Sequence, residues 1–151
     1  MDLSSRRPVK PQNLAGMFGV ADPTVYYSPD LGKRVEYPTD LIDLATYTPT
    51  IQYMDADLNG HVNNIVYAQW IFAGLPHSFL DSFQAAEFDI SYLAETQRND
   101  SVMVRTGAVD VGALEHDFPV LTHEIVKTLA DGATTPVCIA RTTWRRREPL
   151  A

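Results

Sequence analysis

The stretch from Tyr53 to Ile71 constrains the chain more than any other. A polar loop carrying Asp55, Asp57, Asn59 and His61 runs straight into a segment that is apolar on nearly every side. From Ile65 to Ala73 only Gln69 is clearly polar. A helix with apolar residues all round is buried rather than laid on a surface. The pattern therefore predicts a helix from about Val62 to Phe72, ended by Gly74 and Pro76, inside a core. It puts a carboxylate and an imidazole at the mouth of that helix, where unpaired backbone N–H groups gather. Such a site can polarise a carbonyl and activate a water. The rest of the chain must then supply a sheet to cover the helix.

The flanking patterns do supply one. Leu44 to Tyr53 has strand-like content, with Pro49 pointing to an edge position or a bulge. Pro76 opens a short second helix through Phe83. From Ala86 the period changes to two: Phe88, Ile90 and Tyr92 alternate with Asp89 and Ser91. A turn at Arg98, Asn99 and Asp100 leads to a strand from Ser101 to Val111, and a turn at Gly112 to Glu115 leads to one from Phe118 to Leu129. Asp131 and Gly132 make a hairpin to Val137–Trp144. The expected order is a strand, a long buried helix and four consecutive hairpin-linked antiparallel strands, an α+β domain. Residues 1–43 differ: Pro8, Pro11, Pro23, Pro29 and Pro38 favour an extended arm, with Leu14 to Val20 able to dock. The domain proper is expected over 44–151.

Charge and cysteine usage exclude several functions. A net charge of −7 argues against a nucleic-acid binder, which needs a basic face. Cys138 is the only cysteine, so neither an internal disulfide nor a cysteine-rich metal site can form. Asp57 with His61 is too few ligands for a metal, and no cofactor motif is present. No apolar run approaches a membrane span, and the N-terminus lacks the order of a signal peptide. The expectation is a cytoplasmic protein with no membrane partner.

The block Asp55, Asp57, Leu58, Asn59, Gly60, His61, Val62, Asn63 and Asn64, followed by Tyr67 and Trp70, resembles the signature of acyl-ACP thioesterases. A second block, Ile90 to Thr96 with Asp100, Ser101 and Val102, resembles their carboxylate-bearing strand, and Arg6, Arg7 and Pro8 resemble the link between their two halves. The likeness is to the C-terminal half of that family, within the hot-dog thioesterases. It implies a single hot-dog fold, a curved antiparallel sheet wrapped around one long central helix. Hot-dog relatives of the hydroxybenzoyl-CoA thioesterase type also carry an aspartate where Asp57 stands. The chain departs from the family at Thr96, where some members carry a cysteine, and at Ala73, where a glutamate is common. The family has two hot-dog halves per chain, whereas these residues have room for one. The other half is then supplied by a second copy, by a different protein or not at all; the likeness to single hot-dog chains, which pair, implies a homodimer or higher homo-oligomer.

The resemblance assigns the chemistry to Asp57, Asn59, His61 and Glu95. Asp57 or Glu95 would orient and deprotonate water, with Asn59 and His61 holding carboxylate and water in line. Backbone N–H groups of Val62, Asn63 and Asn64 would face the thioester oxygen. A carboxylate in a partly dry site is expected to have a raised pKa, which suits a base. Direct attack by Asp57, giving a mixed anhydride, is the competing route. Val66, Tyr67, Trp70 and Ile71 are core residues first and acyl-pocket candidates second. The substrate would be an acyl thioester of acyl carrier protein or coenzyme A. Taken singly the same residues have plainer readings: a turn at Asp57 to Gly60, a helix cap at Asn63 or Asn64, a solvated Glu95, a core Cys138, and surface or strand histidines at His77, His116 and His123. Arg145 to Arg147 read as a solvated strand end, or as a contact for an anionic carrier. A non-catalytic acyl-binding module and a hot-dog dehydratase are the rival functions.

Overall fold

The computed structural model describes residues 35–38, 40–109 and 111–148. The arm expected over 1–43 therefore lies mostly outside the described residues, as do Arg6, Arg7, Pro8 and the Leu14 to Val20 stretch. The elements follow in the order β1 (Ile42–Tyr47), a 3-10 turn (Tyr53–Asp55), α1 (Asn64–Ala73), α2 (His77–Ser82), β2 (Phe83–Tyr92), β3 (Ser101–Ala108), a 3-10 turn (Val111–Glu115), β4 (Val120–Thr128) and β5 (Thr134–Arg146).

The strands form one five-stranded sheet in the order β1-β3-β4-β5-β2, with every neighbouring pair antiparallel. This is the α+β hot-dog arrangement expected from the sequence, with one correction. β2 and β3 are not a hairpin. β2 pairs with β5 at one edge, and the chain then crosses to place β3 beside β1. Period-two alternation marks a strand but says nothing about its neighbour. The crossing segment, Leu93 to Asp100, carries Glu95. β1 sits at an edge and carries a bulge between Asp43 and Ala45, but Pro49, the residue that pointed to either, lies beyond its end. It ends at Tyr47, short of the predicted Tyr53, because residues 48–52 leave the sheet and Tyr53–Asp55 form a 3-10 turn. The Asp131–Gly132 turn closes the β4–β5 hairpin, with Gly132 at a φ of 84° that a side chain would resist.

α1 is ten residues long. Val66, Tyr67, Trp70 and Ile71 face the sheet and pack with Val62, Val102, Val104, Ile125, Val137 and Cys138. Fully burying such side chains is worth about 1.5–3 kcal/mol each, so this face fixes the helix on the sheet. The expectation of burial on all sides does not hold among the described residues. Ile65, Gln69 and Ala73, four apart and so on one stripe, are exposed, Ile65 by 61%. Ala68 and Ala73 are too small to demand cover, and this makes the segment read as more buried than it is. A second cluster, built on Leu75, Phe79, Phe83, Leu121 and Trp144, lies under α2.

β5 carries one extra residue where its register with β4 passes from Ile125↔Cys138 to Val126↔Pro136. That residue, Val137, turns its carbonyl to accept the N–H groups of Leu93 (2.8 Å) and Ala94 (3.2 Å). Bulges re-aim backbone in this way at the margins of sites. Here the bulge pins the start of the crossing segment.

Candidate active site

The Asp55–Asn63 loop is folded by its own backbone. Asp57 N–H donates to the His61 carbonyl (2.8 Å) and Gly60 N–H returns to the Asp57 carbonyl (3.0 Å). Gly60 sits at a φ of 81°, which lets the loop reverse within four residues. Asp57 Oδ1 accepts from the N–H groups of Asn59 (2.8 Å) and His61 (3.0 Å). This is the turn predicted for the block, and it defines the carboxylate's electrostatics. The His61 N–H, and after it the Asn59 N–H, hold Asp57 below the usual carboxylate range. The raised pKa expected of a carboxylate here is therefore not found at Asp57. That residue is exposed, so desolvation is too weak to oppose two fixed donors.

The crossing segment docks beside this loop. Val62 N–H donates to the Thr96 carbonyl (2.8 Å), Arg98 N–H to the Gly60 carbonyl (3.2 Å), and His61 bridges to Gln97. His61 Nε2 thereby stands 3.4 Å from Glu95 Oε2. These two residues are 34 positions apart in sequence, and the strand crossing unites them. Asp57, His61, Val62, Asn63, Asn64, Tyr67, Tyr92, Leu93, Ala94 and Glu95 line one open cleft of about 550 Å³.

The predicted site residues divide accordingly. Asp57, His61 and Glu95 meet in the cleft; Asn59 supports Asp57 through its backbone N–H. Of the three N–H groups predicted to meet an oxyanion, two are already used: Val62 by Thr96, and Asn63 by the Asp55 carbonyl (2.8 Å). Asn63 instead caps the helix, its Oδ1 accepting from Ile65 N–H (3.2 Å). Asn64, at the cleft wall, keeps an N–H with no acceptor among the described residues. Of the acyl-pocket candidates only Tyr67 reaches the cleft. All four are at most 5% exposed and belong to the core, and Val66, Trp70 and Ile71 do not line the cleft.

Cys138 is fully buried and its thiol is pushed up to about 12 by burial, so it is a core residue and no nucleophile. Thr96 is also fully buried, with its hydroxyl facing the Tyr67 phenol. Two residues outside the predicted set complete the surroundings. Tyr92 Oη–H donates to the Asn64 carbonyl (3.1 Å), joining β2 to the helix start, and Lys127 Nζ donates to the Glu95 carbonyl (3.0 Å). Tyr92 was visible only as a strand residue; no local pattern could link Lys127 to a carbonyl in another segment. Among the described residues no cluster of three or more His, Cys, Asp or Glu side chains could hold a metal, and no helix is long and apolar enough to cross a membrane.

Comparison with known proteins bears on this geometry. The family model of the acyl-ACP thioesterase C-terminal domain matches residues 43–146. A chloroplastic dodecanoyl-[acyl-carrier-protein] hydrolase of Cinnamomum camphora is 30% identical over 148 residues, covering 96% of this chain and 37% of its own length. The solved 12:0-ACP thioesterase from Umbellularia californica superposes with a TM-score of 0.69 at 22% identity, covering 97% of this chain and 53% of that one. The 4-hydroxybenzoyl CoA thioesterase from Pseudomonas does so with a TM-score of 0.55 at 18% identity, covering 67% and 82%. The chain thus spans well under half the length of the curated relatives it matches, from 13% to 37%.

Proposed function

Because the chain belongs to the family of the acyl-ACP thioesterase C-terminal domain, we propose that it hydrolyses an acyl thioester of acyl carrier protein or coenzyme A and releases a fatty acid. The observation that carries this reading is the meeting of Asp57, His61 and Glu95 in one cleft at the start of α1. Glu95, steadied by His61, takes a proton from water as the oxygen attacks the thioester carbonyl, and returns it to the sulfur as the C–S bond breaks and the carrier leaves as its thiol. The Asn64 N–H, at the positive end of the helix, faces the oxygen that gains charge. Asp57, ionised and held by two N–H groups, fixes the loop that carries His61 and orients the water through its other oxygen.

Direct attack by Asp57 is the second reading, favoured by its lowered pKa and exposure. Single-turnover hydrolysis in heavy-oxygen water separates the two where water opens the anhydride at the aspartyl carbon, and hydroxylamine trapping of an acyl-aspartate covers opening at the acyl carbon, which labels the product in either reading. Activated water puts the label in the first product; a mixed anhydride opened at the aspartyl carbon leaves it in the protein.

The proposal includes a second copy of this chain, in a homodimer, over the open cleft and the exposed Ile65 stripe. It also includes a cytoplasmic setting in fatty acid biosynthesis, although the plant relatives carry chloroplastic names. Thiol release from a panel of acyl-ACP and acyl-CoA substrates, at known oligomeric state, tests it. The expected result is turnover that falls roughly a hundredfold in Glu95→Gln. Acyl binding without turnover would make the protein a binding module, and loss of water from a hydroxyacyl thioester would make it a dehydratase.

A further inference from the structure

Lys127 occupies an unusual place. Leu121, His123, Ile125 and Lys127 follow one another at period two on β4, and the first three are fully buried. Lys127 lies opposite Val102, itself buried, so its stem leaves from the inner face of the sheet. A lysine on that row must lead its ammonium out to polar partners. It finds them in the crossing segment: Nζ donates to the Glu95 carbonyl (3.0 Å) and lies 3.5 Å from Asp100 Oδ2. Asp100 Oδ2 also accepts from Gln97 N–H (2.9 Å), and Asp100 N–H donates to the Gln97 carbonyl (3.0 Å). One ammonium therefore grips both ends of the Glu95–Asp100 turn.

Ordinary surface pairs are worth little, and Arg141–Asp89 and Arg146–Asp117 are of that kind, with every side chain more than half exposed. The Lys127 and Asp100 side chains are 22% and 26% exposed. Solvent screens them less, and each also bonds a backbone atom of the turn, Lys127 the Glu95 carbonyl and Asp100 the Gln97 N–H. Glu95, by contrast, has a side chain 74% exposed, with His61 as its only ionic partner among the described residues. Its side chain cannot be positioned by packing, so its backbone must be.

We propose that Lys127 is the positioning residue for Glu95: by holding the Glu95 carbonyl and the Asp100 carboxylate together it keeps the Glu95 side chain facing His61. This rests on the reading of Glu95 as the base. A misplacement of about 1 Å can cost roughly a hundredfold in rate, and loosening rather than removal should cost less.

The test combines Lys127→Met, Lys127→Arg, Glu95→Gln and the double variant Lys127→Met/Glu95→Gln. Lys127→Met should lower kcat by about tenfold or more with KM within about threefold. Lys127→Arg should recover most of the loss, and the double variant should be no slower than Glu95→Gln alone. Amide exchange at Val62 and Arg98, whose N–H groups dock the two segments, should quicken about tenfold or more in Lys127→Met. Unchanged exchange would overturn the proposal whatever the turnover, and so would losses that add fully in the double variant. A Glu95→Gln protein as active as wild type, with exchange quickened as expected, would instead sink the role of Glu95 and leave the Lys127 grip standing.

Discussion

Two histidines show how differently this fold uses one side chain. His61 lies in the open cleft, on a loop, with its Nε2 3.4 Å from the Glu95 carboxylate. His123 lies in the middle of the sheet, fully buried, with Nδ1 2.9 Å from Thr106 Oγ1 and Nε2 2.9 Å from Thr142 Oγ1. Trp144 Nε1–H donates to the same Thr142 oxygen at 2.7 Å. This polar row joins β3, β4 and β5 and separates the cluster under α1 from the cluster under α2. Hydroxyls can donate or accept, so they satisfy a neutral imidazole in either tautomer. Burial lowers the His123 pKa to about 3, which keeps the ring uncharged. The ring at position 61 thus stands beside a carboxylate in a cleft open to water, whereas the same ring among threonines at position 123 is an internal strut.

The largest effect that would break this contrast is on the strut. His123→Ala leaves two buried hydroxyls short of a partner and opens a cavity, so it should cost about 3 kcal/mol of stability. Urea unfolding measures this, and a loss under about 1 kcal/mol would mean that the row is not structural. Asp57→Asn comes next. The amide keeps an oxygen for the two loop N–H groups, so the melting temperature should hold within about 3 °C while turnover falls roughly a hundredfold. Equal losses of fold and rate would erase the distinction between the two regions.

Acid acts on the buried ring first. The unfolded chain protonates this histidine near 6.5, the folded chain only near 3. As pH falls below 6.5 the unfolded state binds the proton first, so stability declines, by at most about 1.4 kcal/mol per pH unit from this group. The depressed Asp57 contributes in the same direction only below its ordinary 3.8, which leaves the window from 6.5 to about 4.5 to the histidine. Denaturant titrations of wild type and His123→Gln across that window should differ in slope; parallel curves would show that His123 titrates normally. The smallest effect is Trp144→Phe. It removes the indole donor to Thr142 and should cost about 1 kcal/mol, read by the same unfolding experiment.

Much of the fold was legible in local pattern. The apolar run after Asn64 made a helix, alternation from Phe88 made strands, and Asp131–Gly132 made the hairpin. The Asp57 block was legible as a turn at a helix start because its hydrogen bonds close within a few residues. Glu95 was legible only through resemblance, since a lone glutamate after a strand carries no signal of its own.

Local sequence accounts for the features whose causes lie within a few residues: element types, caps, turns and the alternation of faces. Tertiary structure alone decided that β2 pairs with β5 and not β3, and so that Glu95 reaches His61. It decided that His123 is the most protected histidine and that Lys127 holds the turn at Glu95. The physical reason is common to all three. Burial, desolvation and long-range hydrogen bonds depend on which strands become neighbours, and period-two patterning is equally satisfied by several orders of the same strands.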